Sequence, residues 1–270
     1  MRLGLSTYTY TWAVGVPGQM PLKPLSAYDL INNANLLKVD CVQIADNLPL
    51  HQFKNEELLN ISAYALTKNV EIEVGTRGLT EENLRRYISI AKIFASPILR
   101  IVIDAPGYAP SLEEAAGILK KAIPYLKENK IKLAIENHDR FKAAEFVYLV
   151  ENTDPAWVGI CLDSVNSMGA GEGIEEVVKT LAPYTINLHI KDFSIRRVSH
   201  KMGFVIEGTP AGKGMLDVPS LVQKVQEKAN CQSAILELWT APEDTIDKTI
   251  LKESLWAKES IDYLKTIIKF

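Results

Sequence analysis

The chain has 270 residues, 47% of them hydrophobic and 23% charged, with a formal net charge of −3. Such a composition can fill a sizeable core and excludes a disordered chain, and the slight negative charge excludes the basic stripe that nucleic-acid binding needs. No apolar run approaches the roughly 20 residues of a membrane span, and Met1-Arg2-Leu3-Gly4-Leu5-Ser6 turns polar too early for a signal-peptide core, so a soluble protein is expected.

Strand-like runs fall at residues 3–8, 41–46, 71–76, 98–103, 132–136, 158–163, 186–191 and 234–238, with helical patterns between them. Ser26 is a candidate N-cap for the first helix, Thr80 or Glu81 opens the third, and Ser111 with Glu114 forms a capping box after the fourth strand. Residues 192–216 make the longest connection. Its Pro210-Ala211-Gly212-Lys213-Gly214 is followed by Met215 rather than Ser or Thr, so it reads as a turn leading to a helix capped by Asp217, not as a P-loop. From Asp244 a long helix is expected, with Ile246, Ile250, Leu255, Ile261, Leu264 and Ile267 on one side. No linker or composition shift divides residues 1–270. Eight β/α alternations in one undivided chain predict a single (β/α)8 TIM barrel, with the active site at the carboxyl ends of its strands. An open doubly wound sheet is disfavoured because no G-x-G-x-x-G follows the first strand.

The three cysteines lack paired spacing, and Cys41 and Cys161 sit in apolar runs as small hydrophobes. A reducing, cytoplasmic location is the expectation.

Four of the later runs end in ionisable residues: Glu136, Asp163, His189 and Glu237. Strand alternation that turns Glu136 inward also turns Lys132 and Ala134 inward. Likewise His189 brings Asn187 and Lys191, and Glu237 brings Ile235 and Trp239. All four ionisable groups then face one cavity at one end. Any one of them alone reads as packing or a cap. Together, three carboxylates and an imidazole suit a divalent ion such as Mn²⁺, Co²⁺, Mg²⁺ or Fe²⁺, where a structural zinc site would use thiolates. Four protein ligands leave room for two oxygens of a sugar with vicinal carbonyl and hydroxyl groups, the metal acting as Lewis acid.

On these pieces (Ala134-Ile135-Glu136-Asn137-His138, Ile160-Cys161-Leu162-Asp163-Ser164, Leu188-His189-Ile190-Lys191-Asp192 and Ile235-Leu236-Glu237) the whole chain resembles the xylose isomerase-like TIM-barrel superfamily. That group holds sugar isomerases and epimerases, inosose dehydratases and the endonuclease IV fold. The resemblance implies that Glu136, Asp163, His189 and Glu237 bind one metal ion. It also implies that Glu136 and Glu237 act as acid and base on opposite faces of a sugar, through a metal-bound enediolate. Homo-oligomers are common in the family. Two departures stand out: Asn166 occupies the position where such epimerases carry a histidine, and Ile195, flanked by Arg196 and Arg197, stands where they carry an arginine. Endonuclease IV is disfavoured, because its trinuclear centre uses more than the four histidines present.

The main expectation is therefore a metal-dependent sugar isomerase or epimerase. A decarboxylase or dehydratase of an oxo-sugar acid or inosose is the alternative, and a non-catalytic carbohydrate-binding barrel the second. His138, Asn166, Lys191, Arg196, His200 and Trp239 are the candidate substrate contacts, with Lys191, Arg196, Arg197 and His200 as cations for a carboxylate or phosphate. Taken alone, Arg196-Arg197 reads as a solvated charge run. Tyr8, Tyr10 and Trp12 are further candidates to stack on a sugar, and Asp46, Asn47, His51 and Arg77 lie in loops on the same face. Arg100 is expected to pair with Glu73 inside the barrel.

Overall fold

A computed structural model describes residues 1–228 and 230–268. Eight parallel strands close into a barrel in the order β1 (Arg2–Ser6), β10 (Ser233–Leu236), β7 (Thr185–Ile190), β6 (Val158–Asp163), β5 (Lys132–Glu136), β4 (Ile98–Val102), β3 (Glu71–Arg77), β2 (Cys41–Ile44) and back to β1. The expected TIM barrel is what forms. Its outer layer comprises α2 (Ala27–Leu37), α3 (Asn55–Thr67), α4 (Glu81–Ile93), α5 (Leu112–Asn129), α6 (Ala143–Glu151), α7 (Ile174–Leu181), α8 (Val218–Lys228) and α9 (Ile246–Ile267). No helix among the described residues is long and apolar enough to cross a membrane.

The expected helix starts are found. Ser26 accepts from Asp29 N, Thr80 from Asn83 N, Ser111 from Glu114 N, and Asp217 from Ser220 N, each satisfying a backbone donor the helix leaves unpaired. Outward strand residues such as Leu133, Ile135, Leu188 and Ile190 join the large core between sheet and helices, while Ile98, Ala134, Cys161 and Ile186 form a separate small cluster.

Four elements differ from expectation. The first strand stops at Ser6, because the Ser6 hydroxyl accepts from Tyr8 N and turns the chain into a 3-10 helix at Thr7–Tyr10, followed by the short α1 (Thr11–Val14). The connection 192–216 is not all loop: β8 (Asp192–Arg197) and β9 (Phe204–Thr209) pair as an antiparallel hairpin. In α9 the buried stripe is Thr249, Glu253, Ala257, Ser260, Ile261 and Leu264, whereas Leu255 is 60% exposed, five positions after Ile250 and so off a 3.6-residue stripe. Finally, the partner of β6 steps from Thr185 to Asn187 across a bulge. Ile186 thereby joins the small cluster with Cys161, beside Gly159, where a Cβ would come within 2.8 Å of it.

Candidate metal and substrate site

Glu136 ends β5, Asp163 ends β6, His189 lies one residue before the end of β7, and Glu237 follows β10 directly. Registers Glu136↔Cys161, Asp163↔His189 and Ile235↔His189 bring these ends side by side, and all four side chains are at most 1% exposed. His189 Nδ1 sits 3.3 Å from Glu237 Oε1, 3.4 Å from Glu136 Oε2 and 3.9 Å from Asp163 Oδ2. Asp163, His189 and Glu237 each offer an atom lying within 4.8 Å of the others. His189 Nε2 is 2.8 Å from Gln43 Oε1.

Two cations share this acidic floor. Arg100 is buried, with Nε on Glu136 Oε2 and a terminal nitrogen 2.8 Å from Asp46 Oδ1. Asp46 also accepts from the Tyr8 hydroxyl at 3.0 Å. The expected pairing of Arg100 with Glu73 is corrected: Glu73 instead accepts from Arg2, Gln43 and Asn187. Arg100 stands one strand away from β5 at the level of Ala134, so its side chain reaches the end of that neighbour. Lys191 Nζ lies 2.8 Å from Asp163 Oδ2 and 2.9 Å from Glu237 Oε2. Burial would discharge Lys191, but Asp163, Glu237 and Glu136 outweigh it and hold the ammonium well above its ordinary value. Burial likewise pushes the Glu237 carboxyl up. His189 when protonated, Lys191 and Arg100 pull harder and keep it well below the usual carboxylate range.

These residues fit a divalent cation. Asp163 Oδ2, His189 Nδ1 and both Glu237 oxygens are buried without a hydrogen bond among the described residues, the Lys191 contacts being short in distance but not aligned as hydrogen bonds. Carboxylate oxygens buried together without hydrogen-bond partners around Nδ1 are an electrostatic cost that a cation removes. The donors, oxygen with one imidazole, are those that borderline-to-hard divalent ions take. Cys161, although near Glu136 and His189, has its Sγ 3.0 Å from Asn187 Oδ1, and burial pushes its thiol well up, so it is a poor fourth donor.

Above the floor opens a cavity of about 540 Å³ lined by Tyr8, Thr11, His138, Asp139, Asn166, Lys191, Ile206, Leu238 and Trp239 among others. Of the candidate substrate contacts, His138, Asn166, Lys191 and Trp239 line it. His138 Nδ1 pairs with Asp139 Oδ1 at 2.5 Å, and Asn166 Nδ2 donates to Glu136 Oε1 at 2.8 Å. Arg196 and His200 are not in the lining. Arg196 forms a two-pronged exposed pair with Glu207 across the hairpin, and His200 is exposed between β8 and β9. Tyr10 is buried, and Trp12 Nε1 donates to Thr240 O. Arg77 leans toward Asp46 at 3.7 Å, Asn47 Nδ2 donates to Thr7 O, and His51 bonds the Tyr87 hydroxyl away from the cavity.

Two residues were not anticipated. Gln43, flanked by Val42 and Ile44 in β2, was visible as a polar residue in an apolar run. Asp192 is the second. Its Oδ2 accepts from Gly212 N and Gly214 N, and its Oδ1 from Phe193 N and Leu216 N, tying the return of the hairpin to the end of β7. A Cβ at Gly214 would collide with that carboxylate.

An eight-stranded parallel barrel with a carboxylate–histidine cluster at the carboxyl ends of its strands defines the TIM-barrel class, in which βα loops build the site. The sequence model of the xylose isomerase-like TIM barrel family matches residues 50–267, and the chain belongs to that family. It is 29% identical over 268 residues to a 3-oxo-isoapionate decarboxylase of Pectobacterium atrosepticum, covering 98% of this chain and 96% of that protein. Among solved structures, a D-psicose 3-epimerase with D-tagatose from Clostridium cellulolyticum H10 superposes with a TM-score of 0.74 at 13% identity, covering 100% of both chains. A xylose isomerase-like TIM barrel protein from Mycobacterium smegmatis in complex with magnesium gives 0.71 at 14%, covering 97% of both. At such identities these two structures speak for the fold.

Proposed function

We propose that the protein is a divalent-metal-assisted decarboxylase of a 3-oxo sugar acid, with the active site in the cavity above Lys191. The observation that carries this reading is the inequality of the two glutamates. Both oxygens of Glu136 already accept from fixed donors, Arg100 Nε and Asn166 Nδ2, whereas neither oxygen of Glu237 accepts a hydrogen bond among the described residues. Epimerisation needs a free base on each face of the sugar. Decarboxylation needs a sink for negative charge and one proton.

Asp163, His189 and Glu237, with Glu136 beside them, would hold the ion, which when bound supplies positive charge opposite the substrate's developing oxyanion. The chain does the rest. Lys191 holds the substrate oxygens from the cavity floor. The apolar walls Val165, Ile206 and Leu238 keep water from the departing carboxyl group. As the carbon–carbon bond breaks, its electron pair stays on the carbon next to the carbonyl and CO₂ leaves. Lys191, which lines the cavity with its ammonium held 2.9 Å from Glu237 Oε2, then passes one proton to that carbon and regains it from solvent. The 98% alignment with a protein named as a decarboxylase of a 3-oxo sugar acid supports this reading. In this assignment Lys191 is the proton donor, Glu237 holds the ion and the ammonium, and Glu136 orients the site.

A second reading, a sugar 3-epimerase, is favoured by Glu136 and Glu237 standing at nearly equal distances from His189 Nδ1, 3.4 and 3.3 Å. One experiment separates the two. The protein is incubated with Mn²⁺ in D₂O with carboxyl-¹³C 3-oxo sugar acids and, separately, with ketoses. Release of ¹³CO₂ with one deuterium per product supports decarboxylation. Deuterium entering a ketose with no carbon lost replaces it with epimerisation, and neither outcome leaves a carbohydrate-binding barrel.

A further inference from the structure

Beneath the carboxylates, the inside of the barrel holds a polar chain that the proposed chemistry does not use. Arg2 Nη2 donates to Glu73 Oε1 at 3.2 Å. Glu73 Oε2 accepts from Gln43 Nε2 and from Asn187 Nδ2, both at 3.2 Å. Gln43 Nε2 also donates to Asn187 Oδ1 at 3.1 Å, Asn187 Nδ2 donates to Ser233 Oγ at 2.8 Å, and Gln43 Oε1 meets His189 Nε2 at 2.8 Å. Glu73, Gln43, Asn187 and His189 are each 0% exposed, so no water competes for these groups.

The chain has a direction. Turning the Gln43 amide over would set its oxygen against two acceptors, Glu73 Oε2 and Asn187 Oδ1. A proton on Glu73 would relieve only one of those clashes. Turning Asn187 over as well would set its own oxygen against Glu73. The arrangement with Gln43 Oε1 toward His189 is therefore the one that satisfies every member. An acceptor at that position requires a hydrogen on Nε2, which leaves Nδ1 as the nitrogen turned to Glu136, Asp163 and Glu237, with its lone pair free whenever the ring is neutral.

We infer that Gln43, anchored by Glu73, is a positioning residue that locks His189 in the Nε2–H tautomer and so presents Nδ1 as a ready-made metal ligand. The inference rests on the metal-site reading of the preceding section. Ligating histidines commonly donate their second N–H to a carboxylate, a backbone carbonyl or water. Here a side-chain amide takes that place, and its orientation is set from the opposite end of the barrel. A neutral acceptor fixes the tautomer without placing a fourth negative charge under three carboxylates.

The test uses the full-length protein labelled with ¹⁵N and prepared without metal. Long-range ¹H–¹⁵N correlation reads the tautomer of each histidine, and with four in the chain a His189→Gln control assigns the signal. The wild type is expected to show a protonated Nε2 and a bare Nδ1. Gln43→Met, similar in size but without an acceptor, is expected to give a mixed or reversed tautomer and about 10–100-fold weaker Mn²⁺ binding by EPR titration. Glu73→Gln is expected to fall between the two. A wild-type His189 protonated on Nδ1 overturns the inference even if Gln43→Met fails to fold. So does a folded Gln43→Met variant with wild-type tautomer and Mn²⁺ affinity. Glu73→Gln at wild-type affinity overturns the anchoring role of Glu73. If the wild type binds no Mn²⁺, the metal reading falls, and the NMR result still decides the tautomer lock separately.

Discussion

Lys191 and Glu237 touch at 2.9 Å on the cavity floor, yet their removal should read out differently. Glu237→Gln keeps the shape but removes the charge that holds the ion and the Lys191 ammonium, so Mn²⁺ affinity should fall together with kcat in the decarboxylation assay, the latter roughly 10²–10⁴-fold. Lys191→Met removes the proton source and should lose turnover on a similar scale. It also frees Asp163 and Glu237 from an ammonium that competes with any divalent ion for the same oxygens. Mn²⁺ affinity by calorimetry should therefore hold or rise in Lys191→Met while activity collapses. A joint loss of affinity and activity would make Lys191 part of the metal site's scaffold instead. Sequence alternation was enough to turn Glu136, Asp163, His189, Lys191 and Glu237 toward one cavity, because a period of two is rigid within a strand. It could not say that Arg100 would reach Glu136 rather than Glu73, since that choice depends on the stagger between neighbouring strands, which no local pattern encodes.

Among the elements, α9 stabilises the cavity rim in a way its apolar spacing did not announce. Glu253, buried in the middle of that helix, accepts from the backbone N–H groups of Trp12 and Ala13, holding the turn whose Thr11 lines the cavity. Burial pushes this carboxyl up to about 7, more than the backbone donors lower it. The folded state thus retains a proton that the unfolded chain has already released, and stability falls as pH rises from the ordinary carboxylate range through about 7. Urea melts of the wild type should lose on the order of 3 kcal/mol across that window, while Glu253→Gln, whose one amide oxygen accepts from only one of the two backbone donors, should start lower and stay flat. The same profile in both proteins would assign the titration elsewhere. A second element-level cost sits after α4, where exposed Ala95 adopts φ 50°. Glycine bears that left-handed conformation without the Cβ penalty, so Ala95→Gly should raise stability by about 0.5–1 kcal/mol in the same melts. The hairpin of β8 and β9 was illegible for a related reason. In its first arm Ile195 stands between Ser194 and Arg196-Arg197, its second offers the three-residue apolar run Phe204-Val205-Ile206, too short to announce a strand, and its anchor is a set of backbone N–H groups converging on Asp192.

At the scale of the molecule, the barrel was legible because eight strand-like runs alternate with helical patterns over the whole chain, and closure leaves no sheet edge to pair. The cost of the design lies in its carboxyl-end layer, where Glu136, Asp163, Glu237 and Asp46 gather around Arg100 and Lys191, with Arg77 at the edge 3.7 Å from Asp46. Folding confines these charges, and unfolding releases them to water. A divalent cation that binds the folded cluster and not the open chain should therefore stabilise the whole barrel. At a hundredfold excess over its Kd the gain is about 2.7 kcal/mol. For a domain of this size that corresponds to a rise in Tm of roughly 5–10 °C. Protein stripped with EDTA should melt lower by that margin and recover with Mn²⁺ or Co²⁺. His189→Gln, which lacks the Nδ1 ligand, should melt at one temperature with or without metal. A wild type whose Tm ignores EDTA and Mn²⁺ alike would mean that Lys191 and Arg100 already balance the cluster, and the carboxylates would then serve substrate binding without an ion.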